Sequence, residues 1–291
     1  MCDVTLIGRE VRLCGIRGHC RDNSMMPSRY ESFTEAVKHA AESPKTALYG
    51  TLAGMRDTPY YDAESVQYSS KRYPQVPSSY IHFFYLRRLA IVTSLIRKTM
   101  HGSNLKLIEI GCADGVVTYA LADTFAKFFS DISGVDISPK MIEAANAHKG
   151  SRKIEFGLRP TYQFRKPYDL VVEVGVINYA DAGEEIRSAR DLTGENGYYL
   201  CSIAGADSLK NRLKHDEEKG FNNFLTYREY EAKLRERFTI EQAIPVGLFI
   251  PHIWKVPALA RVIQPLCEAI SAPFFPNLYL EKVYLLKPRV S

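Results

Sequence analysis

No two of the six cysteines stand at CxxC spacing, and no Cys and His residues cluster as a zinc site would require. That excludes a zinc-ribbon scaffold and a disulfide framework. Cys112 and Cys201 lie in apolar segments and read as core thiols, which suits a reducing cytoplasm. A long uninterrupted apolar run is missing too. The most apolar long segment, Tyr80 to Ile96, contains His82, Arg87 and Arg88. It reads as a buried or amphipathic helix and not as a membrane span. After Met1, the residues Arg9, Glu10 and Arg12 break any apolar stretch of the signal-peptide kind. There is no polybasic tail. The formal charge is +5, the basic residues are scattered, and acids lie among them. This favours a slightly positive surface over a nucleic-acid footprint. Internal repeats and low-complexity tracts are absent as well.

What is present is an ordinary globular composition, in a chain long enough for one large domain with extra segments. Residues 1–30 read as an N-terminal extension, in which VTLIG and EVRLCGI suit a hairpin or a loose segment. Met25 and Met26 offer an alternative start. Residues 31–104 read as a helical cap. Ser32 and Glu35 form a capping box, residues 44–78 form a loop-rich cover with many Tyr, Ser and Pro, and Ser79 starts a helix from Tyr80 to Lys98.

From Leu105 strands and helices alternate. The spacing predicts strands at 105–110, 132–136, 153–156, 169–174 and 198–204, then 239–244 and 279–286. A helix is predicted from Val116 to Phe129, another opens at Ser138 and Pro139, and a third runs from the Thr226–Glu229 capping box to Arg237. The Gly194–Gly197 segment reads as a turn. Residues 105–291 thus read as a doubly wound α/β core of seven strands, with insertions at 205–225 and 247–277.

The stretch IEIGCADG, residues 108–115, ends the first strand in a tight turn and feeds a helix. Such a turn aims backbone N–H groups and a positive helix end at one point, where a ligand sits in folds of this class. The glycines do not make the dinucleotide fingerprint GxGxxG, and no GKS or GKT follows to make a phosphate loop. Glu109-Ile-Gly111-Cys-Ala113-Asp-Gly115 instead resembles motif I of the class I S-adenosylmethionine-dependent methyltransferases, Glu/Asp-x-Gly-x-Gly-x-Gly, with only the middle glycine changed. GVDIS at 134–138, SPKMIEAA at 138–145, YDLVVEVGVINY at 168–179 and LTGENGYYLCS at 192–202 resemble the elements that follow in that family, in the same order. The resemblance covers residues 105–204 and the closing strand pair.

The resemblance implies a Rossmann-like methyltransferase fold and a cofactor, S-adenosylmethionine, leaving as S-adenosylhomocysteine. It implies cofactor contacts from Glu109, Gly111, Cys112, Ala113, Gly115, Asp136, Ile137, Met141, Leu158 and Glu173. Asp136 would take the two ribose hydroxyls, since a carboxylate accepts two bonds from a vicinal diol. Leu158 stands where many members carry an acid for the adenine amine, so apolar and backbone contacts, with Leu158 or Arg159 beside the ring, would hold the base. Ala113 is tolerated if its φ is negative. Glu109 would bond the turn amides. Candidate catalytic residues are His252, Tyr179 and Glu173, with His215 a further candidate base. No metal is expected.

The implied activity is methyl transfer to a small molecule, first O-methylation of a sugar or secondary metabolite. N-methylation and a non-catalytic binding role are the alternatives. The cover tyrosines Tyr60, Tyr61, Tyr68, Tyr73 and Tyr80 would choose the acceptor. The apolar stretch 247–270, with an amphipathic part from Val256, would roof the pocket, pair two copies or touch a membrane surface.

Overall fold

The computed structural model describes residues 58–213, 225–250, 253 and 256–289. All of them belong to one compact unit, residues 53–291. The Ser32 capping box, the 1–30 extension, His215 and His252 lie outside the described residues.

The described residues open on two short helices, α1 (Thr58–Glu64) and α2 (Tyr68–Arg72), then the long α3 (Tyr80–Thr99). Ser79 caps α3, its side chain accepting from the His82 amide. In α3 the buried residues Tyr80, Phe84, Arg88, Ile91, Val92, Leu95 and Ile96 recur at helical spacing. Then come β1 (Leu105–Ile110), α4 (Val116–Phe125), β2 (Phe129–Asp136), α5 (Pro139–His148), β3 (Glu155–Leu158) and β4 (Tyr168–Val174). The chain closes with α6 (Ala182–Leu192), β5 (Thr193–Ile203), α7 (Leu209–Leu213), α8 (Tyr227–Arg237), β6 (Phe238–Leu248), α9 (Pro257–Ser271) and β7 (Tyr279–Pro288).

The seven described strands form one sheet in the order β3-β2-β1-β4-β5-β7-β6. The first five are parallel, and β7 inserts antiparallel between β5 and β6. The order reverses between β1 and β4, so their carboxyl ends frame a crevice. Alternate residues of each strand feed two cores. Leu107, Val172 and Leu200 pack under α3 and α4, while Ile108, Val171, Tyr199 and Cys201 pack under α6 and α8.

Several predicted boundaries move. The helix expected to run to Phe129 ends at Phe125, because Phe129 already pairs with Leu105 as the start of β2. The third strand slides two residues on, to Glu155–Leu158, where Gly157 and Leu158 pair with Val135 and Asp136. The Gly194–Gly197 turn does not precede β5 but lies within it. Thr193 pairs with Tyr168 and Tyr198 with Leu170, so the turn is looped out of the ladder as a bulge. On α9, Leu259, Val262, Leu266 and Ile270 form an exposed apolar row. No described helix is long and apolar enough to cross a membrane.

Candidate functional site

The turn after β1 is pinned to the neighbouring strand. The amides of Gly111 and Cys112 both donate to the Val135 carbonyl, at 2.8 and 3.0 Å. The Gly115 amide closes the turn on the Cys112 carbonyl at 2.9 Å. Three residues here have positive φ, Gly111 at 68°, Ala113 at 49° and Gly115 at 86°. A Cβ on Gly111 would stand 2.2 Å from Val176, so this position needs glycine for space as well as for conformation.

Ala113 corrects an expectation, since its φ is not negative. The turn must fold over to carry the Ala113 amide to Asp136 Oδ2, at 2.9 Å. That places an alanine in the left-handed region, at a cost of roughly 1–2 kcal/mol.

Asp136 ends β2. Its Oδ2 takes the Ala113 amide and its Oδ1 takes the Ser138 amide at 3.0 Å. Each oxygen keeps acceptor capacity, and the residue lines a cavity of about 470 Å³ above the crevice. Burial raises its pKa, against the lowering effect of the backbone bonds. Ser138 caps α5 through a 3.1 Å bond from the Met141 amide, with Pro139 in the first turn.

Glu109 departs from its expected partners. It lies buried beneath the turn and accepts from the Thr118 hydroxyl of α4, not from turn amides. Burial pushes its pKa up to about 8, partly opposed by the Thr118 bond. Glu173 is buried on the other face, where Oε2 accepts from the Tyr199 hydroxyl at 2.6 Å and Oε1 has no partner among the described residues. Burial, then the nearby Glu185, lifts it to about 8 as well.

The cover is latched to both cofactor-side loops. Asp62 of α1 accepts from the Ser138 hydroxyl and, at 3.4 Å, from the Lys140 amide at the start of α5. Ser69 of α2 donates its amide at 3.0 Å, and its hydroxyl, to Asp114 in the β1 turn. Tyr60, Tyr61 and Tyr68 thereby face the cavity, with Tyr61 set edge-on to Tyr179 at 6.5 Å between centroids. Tyr73 and Tyr80 go into the core instead.

Of the predicted cofactor residues, Gly111, Ala113, Asp136, Ile137 and Met141 line the cavity, and so does Tyr179. Glu109, Cys112, Gly115, Leu158 and Glu173 stand behind the lining. No described residue of 247–266 reaches it. Sequence reasoning missed Arg72, Tyr85, Arg88, Glu185 and Glu281. Arg88 is buried in α3, held by Glu281 of β7 through two bonds of 3.0 and 2.9 Å. Its one signal in the sequence was a charge inside an apolar helix.

Four acids, Glu64, Asp136, Glu185 and Glu281, face three arginines, Arg72, Arg88 and Arg159, around the cavity. The formal balance is one negative charge, which favours a cationic ligand. With a carboxylate at Asp136 that has room to accept from a diol, and the glycine at Gly111 leaving space beside it, the lining fits S-adenosylmethionine, a sulfonium attached to a ribose.

Residues 108–199 match a family described as a methyltransferase domain. A ubiquinone biosynthesis O-methyltransferase of Caulobacter sp. (strain K31) is 30% identical over 105 residues, 34% of this chain and 40% of that protein. A malonyl-[acyl-carrier protein] O-methyltransferase of Anoxybacillus flavithermus is 24% identical over 172 residues, 58% of this chain and 63% of that protein. The chain therefore spans less than two thirds of either relative. Magnesium protoporphyrin IX methyltransferase from Synechocystis PCC 6803, solved with bound SAH, superposes with a TM-score of 0.54 at 15% identity, over 80% of this chain and 98% of that one. Strand order, motif turn, domain match and fold agree, and residues 108–199 form a methyltransferase domain of the class I S-adenosylmethionine-dependent type.

Proposed function

We propose that this protein transfers the methyl group of S-adenosylmethionine to an oxygen of a small molecule. The observation that carries the reading is Asp136. It faces the cavity at the end of β2 with acceptor capacity on both oxygens, directly beside the strained Gly111–Gly115 turn. When bound, the cofactor supplies a methyl carbon already activated by positive sulfur. The chain's residues then have three tasks, which are to orient the pair, keep water out and dispose of the acceptor's proton.

Gly111, Ala113 and Asp136 would hold the methionine and ribose parts, and Ile137 and Met141 the base. The latched cover excludes water. Tyr60, Tyr61, Tyr68, Tyr85 and Tyr179 give the acceptor side an aromatic wall. Such a wall suits a planar, weakly polar body, as in an aromatic secondary metabolite, better than a bare sugar. The names of the two relatives, both O-methyltransferases, support oxygen as the attacked atom.

A hydroxyl must lose its proton on attack. Tyr179, on the cavity wall beside Tyr61, is the described candidate to receive or relay it. His252 remains a candidate from outside the described residues. Glu173 sits too deep to touch an acceptor and would act through its surroundings.

The test is turnover with methyl-labelled S-adenosylmethionine and a panel of phenols, carboxylic acids, sugars and amines. The reading expects label on oxygen of a phenol or acid, and a large fall in turnover for Tyr179→Phe. Label confined to amines would replace O- by N-methylation. Binding of the cofactor without transfer to any acceptor, in the presence of cell extract, would favour a binding role.

A further inference from the structure

An adenine amine is a donor and needs an acceptor. The conventional place for one, the end of β3, holds Leu158. The base would extend from the ribose at Asp136 toward Ile137, Met141 and the loop after β3. The groups lining that end are mostly unable to accept. Ile137, Met141 and Phe164 are apolar, and Arg159 is a donor. Two nearby backbone carbonyls are already engaged. Leu158 O takes the Thr161 amide at 3.0 Å, and Asp136 O takes the Arg159 amide at 2.8 Å.

One carboxylate is there. Glu185, in the first turn of α6, lines the cavity and is 8% exposed. Its Oε2 accepts from Arg159 Nη2 at 2.7 Å. No described residue donates to its Oε1. The Arg159 pair fixes the carboxylate across the gap between α6 and the loop after β3. Among the described residues, Ser188, one helical turn on, is the other side-chain acceptor on that wall, and it is neutral.

We propose that Glu185, positioned by Arg159, accepts the exocyclic amine of the cofactor's adenine. An acid from α6 thus does the work that Leu158 cannot. The inference rests on the cofactor reading above. It assigns a specificity residue to a helix that crosses from the opposite side of the crevice. A carboxylate acceptor, buried and already oriented, makes a stronger bond to an amine than a backbone carbonyl does.

The test is calorimetric titration with S-adenosylhomocysteine and with its analogue bearing hydrogen in place of the 6-amino group. Wild type, Glu185→Gln and Glu185→Leu are compared, with thermal melts to check folding. Wild type is expected to prefer the amine by about ten- to a hundredfold, the size of a bond to a charged group. Glu185→Gln, which keeps an acceptor oxygen, retains part of that preference. Glu185→Leu loses it, so that both ligands bind about equally, while affinity for the deamino analogue stays within a few-fold of wild type.

Two outcomes overturn the inference. The preference could survive in Glu185→Leu, or both ligands could weaken together in both variants, as expected if the residue only steadied Arg159. A folded wild type that bound neither ligand would remove the cofactor reading itself, and the inference with it.

Discussion

Ala113 shows what one methyl group does. The glycine that the motif leads one to expect would adopt φ 49° freely, whereas alanine pays strain there. Replacing it should relieve more than the added unfolded-state freedom costs. Ala113→Gly is predicted to stabilise the fold by about 1 kcal/mol, read as a rise in Tm of about 2–4 °C for a unit of this size. No change or a fall in Tm would mean that the surrounding bonds, not the dihedral, set the energy. Glu109 makes a second prediction at this scale. Its ordinary pKa of 4.5 is pushed up to about 8 in the fold. Between those values the folded state holds a proton that the unfolded chain has lost. Stability from this group is therefore full below about pH 4.5 and falls as pH rises through 8, by up to ~1.4 kcal/mol per pH unit. The urea midpoint should drop between pH 5.5 and 8. Glu109→Gln should flatten that drop, and a variant with the wild-type slope would show that Glu109 does not carry it.

At the scale of elements, the strands were easy to read and the cover was not. Runs such as LVV and YLCSIA are apolar on both faces because helices pack on both sides of a parallel sheet. Their ends moved by a few residues where pairing, not pattern, decides. The GENG bulge illustrates this, since a turn signal cannot say whether the ladder resumes on the same strand. The cover owes its place to long-range bonds, from Asp62 to the start of α5 and from Ser69 to Asp114, and sequence spacing contains neither. These latches make a prediction. Asp62→Ala combined with Ser69→Ala should free α1 and α2, speeding dissociation of S-adenosylhomocysteine by about tenfold or more while the sheet core stays folded, as each lost charged hydrogen bond is worth ~1.5–3 kcal/mol. Stopped-flow displacement measures this. An unchanged off-rate would mean that the cover does not gate the cavity.

At the scale of the whole molecule, the motif order pointed to the site and the topology completed it. Gly111, Ala113, Asp136, Ile137 and Met141 were legible because they fall in contiguous motifs at the ends of β1 and β2. Arg88, Glu185 and Glu281 were not, because they reach the cavity from α3, α6 and β7, up to 193 residues apart in the chain. Only the folded sheet brings these elements to one edge. Glu109 and Glu173 were legible as acids at strand ends, but their alternation on opposite faces sends both beneath the lining. The central claim is that this edge binds S-adenosylmethionine through Asp136. The most direct test is calorimetric titration of wild type and Asp136→Ala with S-adenosylhomocysteine, with NADH as a control. The account predicts saturable binding by wild type, a loss of about a hundredfold or more in Asp136→Ala from two missing bonds to a charged acceptor, and no binding of NADH. Equal affinity in the two proteins, or no binding by a folded wild type, would contradict it.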